Sequence, residues 1–219
     1  MFDTTSVAEP TRGIFINGIG RISAQAANVT FTVNETLTLN GTLYKEGPGR
    51  LELGGALMFG GDGTATNPSE DAANRTIAVV NGQLKPVSAY ALDGADVVLS
   101  NATQLVIDPT IAGLGATARG IVNVKTSTPL AAGDGSDGKV RILVDPSDPD
   151  FAQRSVSFAL MTVKSTAASH LLGGGTLMLE RGEAFAGCRL TPTARAADAD
   201  GNVTIDIYAQ RLGTMLYFR

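Results

Sequence analysis

Residues 41 to 55 read Gly-Thr-Leu-Tyr-Lys-Glu-Gly-Pro-Gly-Arg-Leu-Glu-Leu-Gly-Gly, two short alternating segments joined by a Gly-Pro-Gly corner. This pattern constrains the fold more than any other stretch. Side chains alternate across a strand with a period of two, so Leu43, Leu51 and Leu53 are expected on one inward face, with Thr42, Lys45, Arg50 and Glu52 directed elsewhere. Gly47 and Gly49 permit a turn where a Cβ would clash, and Pro48 fixes φ between them. The segment reads as one turn of a β-solenoid.

The same texture recurs along the chain, with no 3.6-residue periodicity to compete with it. Strands are expected at 13–16, 29–33, 36–39, 42–45, 50–53 and 56–59. They resume at 76–80, 83–84, 96–99 and 104–107, separated by Asn81-Gly82, Asp93-Gly94 and Asn101. Such dipeptides are also hairpin signals, so an antiparallel β-sandwich is the rival architecture. Very short segments at recurring intervals favour the solenoid, with rungs of roughly 20 to 25 residues stacked ~4.8 Å apart. Leu37, Leu39, Leu43, Leu51, Leu53, Val79, Leu84, Val97, Leu99, Leu105 and Ile107 are expected inside. Corners are expected at Gly47, Gly49, Gly54 and Gly82.

Three regions follow: an N-terminal segment at 1–12, solenoid rungs at 13–138 interrupted by a polar loop at 60–75, and a C-terminal region at 139–219. Strands in the last region are longer, at 139–144, 155–163, 176–179, 202–209 and 214–218. The region is expected to cap the open end of the stack, with 155–163, 202–209 and 214–218 pairing antiparallel. Within them, residues 190–195 and 202–209 form a hairpin, and a second hairpin is expected around Arg211-Leu212-Gly213.

Composition agrees with thin aliphatic layers. Hydrophobic residues make up 43% of the chain but aromatics only 5%, and Trp is absent. Charged residues are 17% and the net charge is −4, with Lys and Arg scattered singly, which argues against nucleic-acid binding. Residues 1 to 6 do not read as a signal peptide, and no apolar run approaches the ~18 residues of a membrane helix. The reading is of a soluble fragment without membrane insertion.

Catalytic chemistry finds little support. Cys188 and His170 are the chain's only cysteine and histidine, and neither stands in a nucleophile motif. Asp198, Asp200 and Asn202 have the opening spacing of a calcium loop but lack its later bidentate carboxylate, so a turn is the better reading and no metal or other cofactor is expected. Asp145-Pro-Ser-Asp-Pro-Asp150 reads as a rigid solvated loop. Asn-x-Thr triplets at Asn28, Asn34, Asn40, Asn74, Asn101 and Asn202 follow from Thr-rich strands that begin after Asn turns. A polysaccharide-cleaving groove would need Lys45, Arg50 and Glu52 to line one face beside an acidic cluster that the sequence does not supply.

On these residues the chain resembles the passenger-associated β-strand repeats of bacterial autotransporters. The family pattern runs Leu-x-Leu-x-Gly, then Leu-x-Lys-x-Gly-x-Gly-x-Leu-x-Leu-x-Gly, then a rung like Asn-Gly-Thr-Leu. Residues 37–41, 43–54 and 79–84 follow it in order, with Lys45, Gly47, Gly49, Leu51, Leu53 and Gly54 in place. The match covers about residues 29 to 110. It departs at the 60–75 loop and lacks the translocator barrel. The resemblance implies a right-handed parallel β-helix, secreted or displayed on a bacterial surface, doing structural or adhesive work. Its partner would be a surface glycan or protein ligand. A carbohydrate-active β-helix enzyme and a carbohydrate-binding β module are the alternatives.

Overall fold

Period-two alternation is realised almost residue by residue. In the strand Leu37–Glu46, buried and half-exposed positions alternate without a break, and Arg50–Leu53, Gln83–Pro86 and Asp96–Leu99 repeat the pattern. The computed structural model describes residues 13–59, 75–88, 91–92, 94–111, 122–123, 130–132 and 137–212. The expected segment at 1–12, all of the 60–75 loop except Arg75, and the strand at 214–218 lie outside these residues.

The strands, in chain order, are β1 (Ile14–Ser23), β2 (Thr30–Val33), β3 (Leu37–Glu46), β4 (Arg50–Leu53), β5 (Leu57–Phe59), β6 (Arg75–Val79), β7 (Gln83–Pro86), β8 (Asp96–Leu99), β9 (Gln104–Ile107), β10 (Val122–Asn123), β11 (Leu130–Ala132), β12 (Val140–Val144), β13 (Val156–Lys164), β14 (Leu177–Arg181), β15 (Cys188–Ala194) and β16 (Asn202–Arg211). The protein is mostly β, with parallel sheets. One sheet runs β1-β3-β6-β8-β11, with β5 also on β3; a second runs β2-β4-β7-β9-β12-β14. Every pairing in these two sheets is parallel. Consecutive strands from β6 to β9 alternate between the sheets, so Asn81-Gly82 and Asn101-Ala102 carry the chain from one sheet to the other and are not hairpin turns.

Parallel pairing in register stacks like positions into columns. One inward column of the second sheet runs Leu51, Leu84, Leu105, Ile142, Leu179. An inward column of the first runs Ile22, Lys45, Val79, Leu99. The inward faces of both sheets belong to one hydrophobic core. All eleven aliphatic residues expected inside are at most 2% exposed. Removing a side chain such as Leu105 from these layers is expected to cost roughly 2–5 kcal/mol.

Two expectations need correction. The segments 36–39 and 42–45 are one strand, because Asn40-Gly41 bends β3 without ending it. Gly41 has φ 152° and lies over Gly18, whose carbonyl oxygen stands only 1.9 Å from where a Cβ at 41 would be. This glycine pair changes the strand direction while Asn40 Nδ2 donates to Asn17 Oδ1 at 2.9 Å. The bend also divides β3's far edge, which takes β5 at 37–39 and β6 at 41–45.

The second correction is a helix, α1 (Ser165–Gly173), in a stretch read as having no helical period. Its Ala167, Ala168 and Leu171 are buried on one face. The sequence Ser-Thr-Ala-Ala-Ser-His-Leu-Leu lacks the β-branched run that would favour a strand, and Gly173 to Gly175 end the helix. α1 packs on β13 and β16. The third sheet, β10-β13-β16-β15, is antiparallel along β13-β16 and β16-β15. Val203, Ile205, Ile207 and Ala209 of β16 all face its core. Phe151, Phe158 and Phe185 meet beside it with ring centroids 6.0 to 6.3 Å apart. Beyond residue 138, β12 and β14 continue the second parallel sheet.

Candidate functional site

The outward face of the second sheet gathers most of the polar side chains that could meet a ligand. Alternation places Arg50 and Glu52 of β4, Gln83 and Lys85 of β7, Gln104 of β9, Arg141 of β12 and Glu180 of β14 there, all half-buried. Stacking of the strands then brings them within reach of one another. Arg50 Nε donates to Gln83 Oε1 at 3.0 Å, Gln83 Nε2 to Gln104 Oε1 at 2.7 Å, and Gln104 Nε2 to Glu180 Oε2. Arg141 bridges the far end, 3.8 Å from Glu180 and in a two-pronged hydrogen bond with Asp137. Thr32 Oγ1 donates to Glu52, which also lies 3.9 Å from Arg50.

This ladder uses most of its donors on itself. General acid–base work needs a carboxyl poised near neutral pH, and the shifted carboxyls here all move the other way. The hydrogen bond from Arg141 holds Asp137 down to about 2. Burial would raise Asp108, but donors from Thr110 and Ser147 outweigh it and keep this carboxyl below its usual range. Asp108 Oδ1 accepts from Thr110 N, Thr110 Oγ1 and Ser147 N, tying the turn after β9 to the acidic loop at 145–150. Lys85 Nζ stands 3.8 Å from the same carboxylate.

Lys45 does not join Arg50 and Glu52, which corrects the expected charged face. It is two residues beyond Leu43 on β3 and therefore points inward, where it is wholly buried. Its ammonium donates to the carbonyls of Glu46 at 3.1 Å, Gly47 at 2.6 Å and Asn81 at 2.7 Å. Burial lowers its pKa to about 8. The surrounding corner contains Gly47 and Gly82, both in left-handed conformation with φ near 75°. Gly49 and Gly54 have no such φ, but a Cβ at 49 would stand 2.4 Å from the Val29 oxygen and one at 54 would stand 2.8 Å from Asn34 Oδ1. Leu51 and Leu53 lie in the core.

No family model, curated protein or solved structure matches the chain. Function must therefore be argued from this geometry.

Asp198, Asp200 and Asn202 form the turn between β15 and β16. Asp198 Oδ1 accepts from the backbone N–H groups of Asp200 and Asn202, and Oδ2 from Asn202 Nδ2. The Asn202 backbone bond is the main reason the Asp198 carboxyl sits below its usual pKa. Both oxygens thus accept hydrogen bonds inside the turn. Cys188 is buried at the start of β15, whereas His170 is exposed on α1. Among the described residues no helix is long and apolar enough to cross a membrane. The members sequence reading missed are Gln83, Gln104, Arg141 and Glu180. Each occupies an outward position by simple alternation, but only the pairing of strands distant in sequence shows that they form one row.

Proposed function

We propose that this chain is a right-handed parallel β-helix of the bacterial passenger-repeat kind, a stiff, non-catalytic element secreted or held at the cell surface, whose outward polar faces meet a surface glycan or protein ligand. The observation that carries this reading is the pair of parallel sheets whose inward columns stay in register from layer to layer. Such stacking satisfies the backbone through continuous ladders and leaves short, tight corners, which resist proteolysis because local opening must break several layers together. The ladder from Arg50 to Asp137 supports the non-catalytic part, since its charged groups engage one another and do not converge on an open cleft.

The test combines prolonged protease digestion, a glycan array, and turnover assays on pectin and alginate. The proposal expects a surviving core containing β1 to β9, binding without turnover, and loss of binding on changing outward residues such as Glu52. Cleavage of either polysaccharide that disappears in Arg50→Ala or Glu52→Gln would replace it with the carbohydrate-active enzyme reading.

A further inference from the structure

Two cations take register positions in the inward columns of the parallel sheets: Lys45 is buried, whereas Arg181 is exposed at the end of its column. Lys45 is enclosed by three carbonyls. The other is Arg181 of β14, the last strand of the second sheet, in the column that passes through Ile107 and Val144. An aliphatic side chain would extend that column, yet a guanidinium occupies its final layer. One of its donors, Nη1, is fixed on the Cys188 carbonyl at 2.7 Å. That bond aims the fork and leaves other N–H groups available.

Arg181 borders a cavity of about 360 Å³ between β14 and the edge strand β15, lined also by Leu179, Cys188, Arg189, Leu190 and Leu212. The lining has two parts with different chemistry. Arg181 and Arg189 both border it, and among the described residues neither has a carboxylate within ion-pair distance, in a chain of net charge −4. Leu179, Leu190 and Leu212 supply an apolar wall, and Leu212 is 56% exposed. Glu180, the adjacent acid on β14, points to the opposite face and is engaged by Gln104.

We propose that this cavity is a binding site for a small organic carboxylate with an apolar body. A carboxylate matches the planar fork of arginine through two parallel hydrogen bonds, while the leucines bury the remainder of the ligand. A compact, strongly hydrated anion would leave the leucine wall uncovered, and a neutral molecule would leave both guanidinium groups without an anion. The site is independent of the outward ladder and of the β-helix reading.

The experiment is a titration of the ¹⁵N-labelled full chain with benzoate, following the Nε–Hε resonances of Arg181 and Arg189. Benzamide, acetate and inorganic phosphate serve as comparison probes. Benzoate is expected to shift both resonances in a saturable way, with each comparison probe at least about tenfold weaker, the change expected from losing one favourable contact of ~1.4 kcal/mol. Arg189→Gln should weaken benzoate by about the same factor, whereas Arg154→Gln, outside the cavity, should not. Arg189 is exposed and makes no ion pair, so its replacement leaves the fold intact, as the unchanged spectrum elsewhere would verify. Equal binding of benzamide or phosphate, full affinity in Arg189→Gln, or no shift at roughly 10 mM benzoate would each overturn the proposal.

Discussion

Lys45 Nζ donates to the Asn81 carbonyl at 2.7 Å, joining the corner after β3 to the corner after β6. The same ammonium also holds the Glu46 and Gly47 carbonyls of its own corner. Glu46 O has a second donor, the Ala24 N–H, so removing the ammonium chiefly deprives Gly47 and Asn81. A buried carbonyl left without a donor costs about 1–3 kcal/mol, and less where water reaches it, as at the exposed Asn81 and half-buried Gly47. Lys45→Met keeps the stem and volume, and is expected to lower unfolding stability by about 1–2 kcal/mol after relief of the buried charge. Urea denaturation measures this directly, and a variant as stable as the parent would show that the corner carbonyls do not depend on the ammonium.

The same lysine makes stability depend on pH. Its folded pKa is about 8, below the ordinary lysine value of 10.5. Between these values the unfolded chain keeps a proton that the folded chain has released, so stability rises with pH through the window from about 8 to 10.5 and is level below it. The difference in unfolding free energy between the parent and Lys45→Met, which cancels other titrating groups, should therefore increase by on the order of 1–3 kcal/mol between pH 7.5 and 10.5. A difference that stayed flat or fell would mean that the three carbonyls keep the lysine charged despite its burial.

Lys45 also shows which parts of this molecule a sequence reveals. Alternation alone places it on the face of Leu43, but assigning a charged residue to solvent by its chemistry obscures that. The columns of Leu, Val and Ile were legible because burial on one face forces a strict period of two. The glycine corners at 47 and 82 were legible because only glycine enters left-handed backbone cheaply. The bend at Gly41 looked like a strand end, since a glycine that turns a strand and one that stops it have the same local signature. Helix α1 was missed because nine residues with three buried positions give too short a period to read. The Arg50-Gln83-Gln104-Glu180 row was invisible for a different reason: its members are brought together by strand pairing, which no local pattern encodes.

Ala102 has φ 60°, the only non-glycine residue with positive φ among those described. It occupies the corner between β8 and β9, where the corner between β6 and β7 has Gly82 at φ 75°. A Cβ in this conformation costs roughly 1–2 kcal/mol. Glycine removes that strain but adds freedom to the unfolded chain, so Ala102→Gly should stabilise by about 0.5–1 kcal/mol. A lower melting temperature for this variant would show that the Ala102 methyl makes packing contacts worth more than its strain.

Gly41 predicts the opposite sign. A methyl group there would lie 1.9 Å from the Gly18 carbonyl oxygen and 2.8 Å from Gly18 Cα, so β1 and β3 would have to separate or slip. Gly41→Ala should therefore destabilise by more than the 0.5–1 kcal/mol of an ordinary glycine effect. Hydrogen exchange should show the loss first in the amides of 14–23. Unchanged protection of those amides would mean that the strands accommodate the methyl without parting.

Removal of residues 139–219 tests what the C-terminal region does for the parallel sheets. β9 pairs with β7 on one side and with β12 on the other, through Leu105–Ile142, Val106–Leu143 and Ile107–Val144. Leu105, Val106 and Ile107 are all fully buried. Without β12, this strand would present an unpaired backbone edge beside newly exposed aliphatic side chains, and such an edge recruits another chain. β14, α1 and strands β13, β15 and β16 of the third sheet would go with it, taking the aromatic cluster of Phe151, Phe158 and Phe185. The shortened protein should aggregate or assemble end to end, visible as a concentration-dependent mass by light scattering, while the intact chain keeps a constant mass. A fragment that stayed monomeric and melted at the parent's temperature would make the C-terminal region an independent appendage, because an exposed β9 edge would then carry no cost.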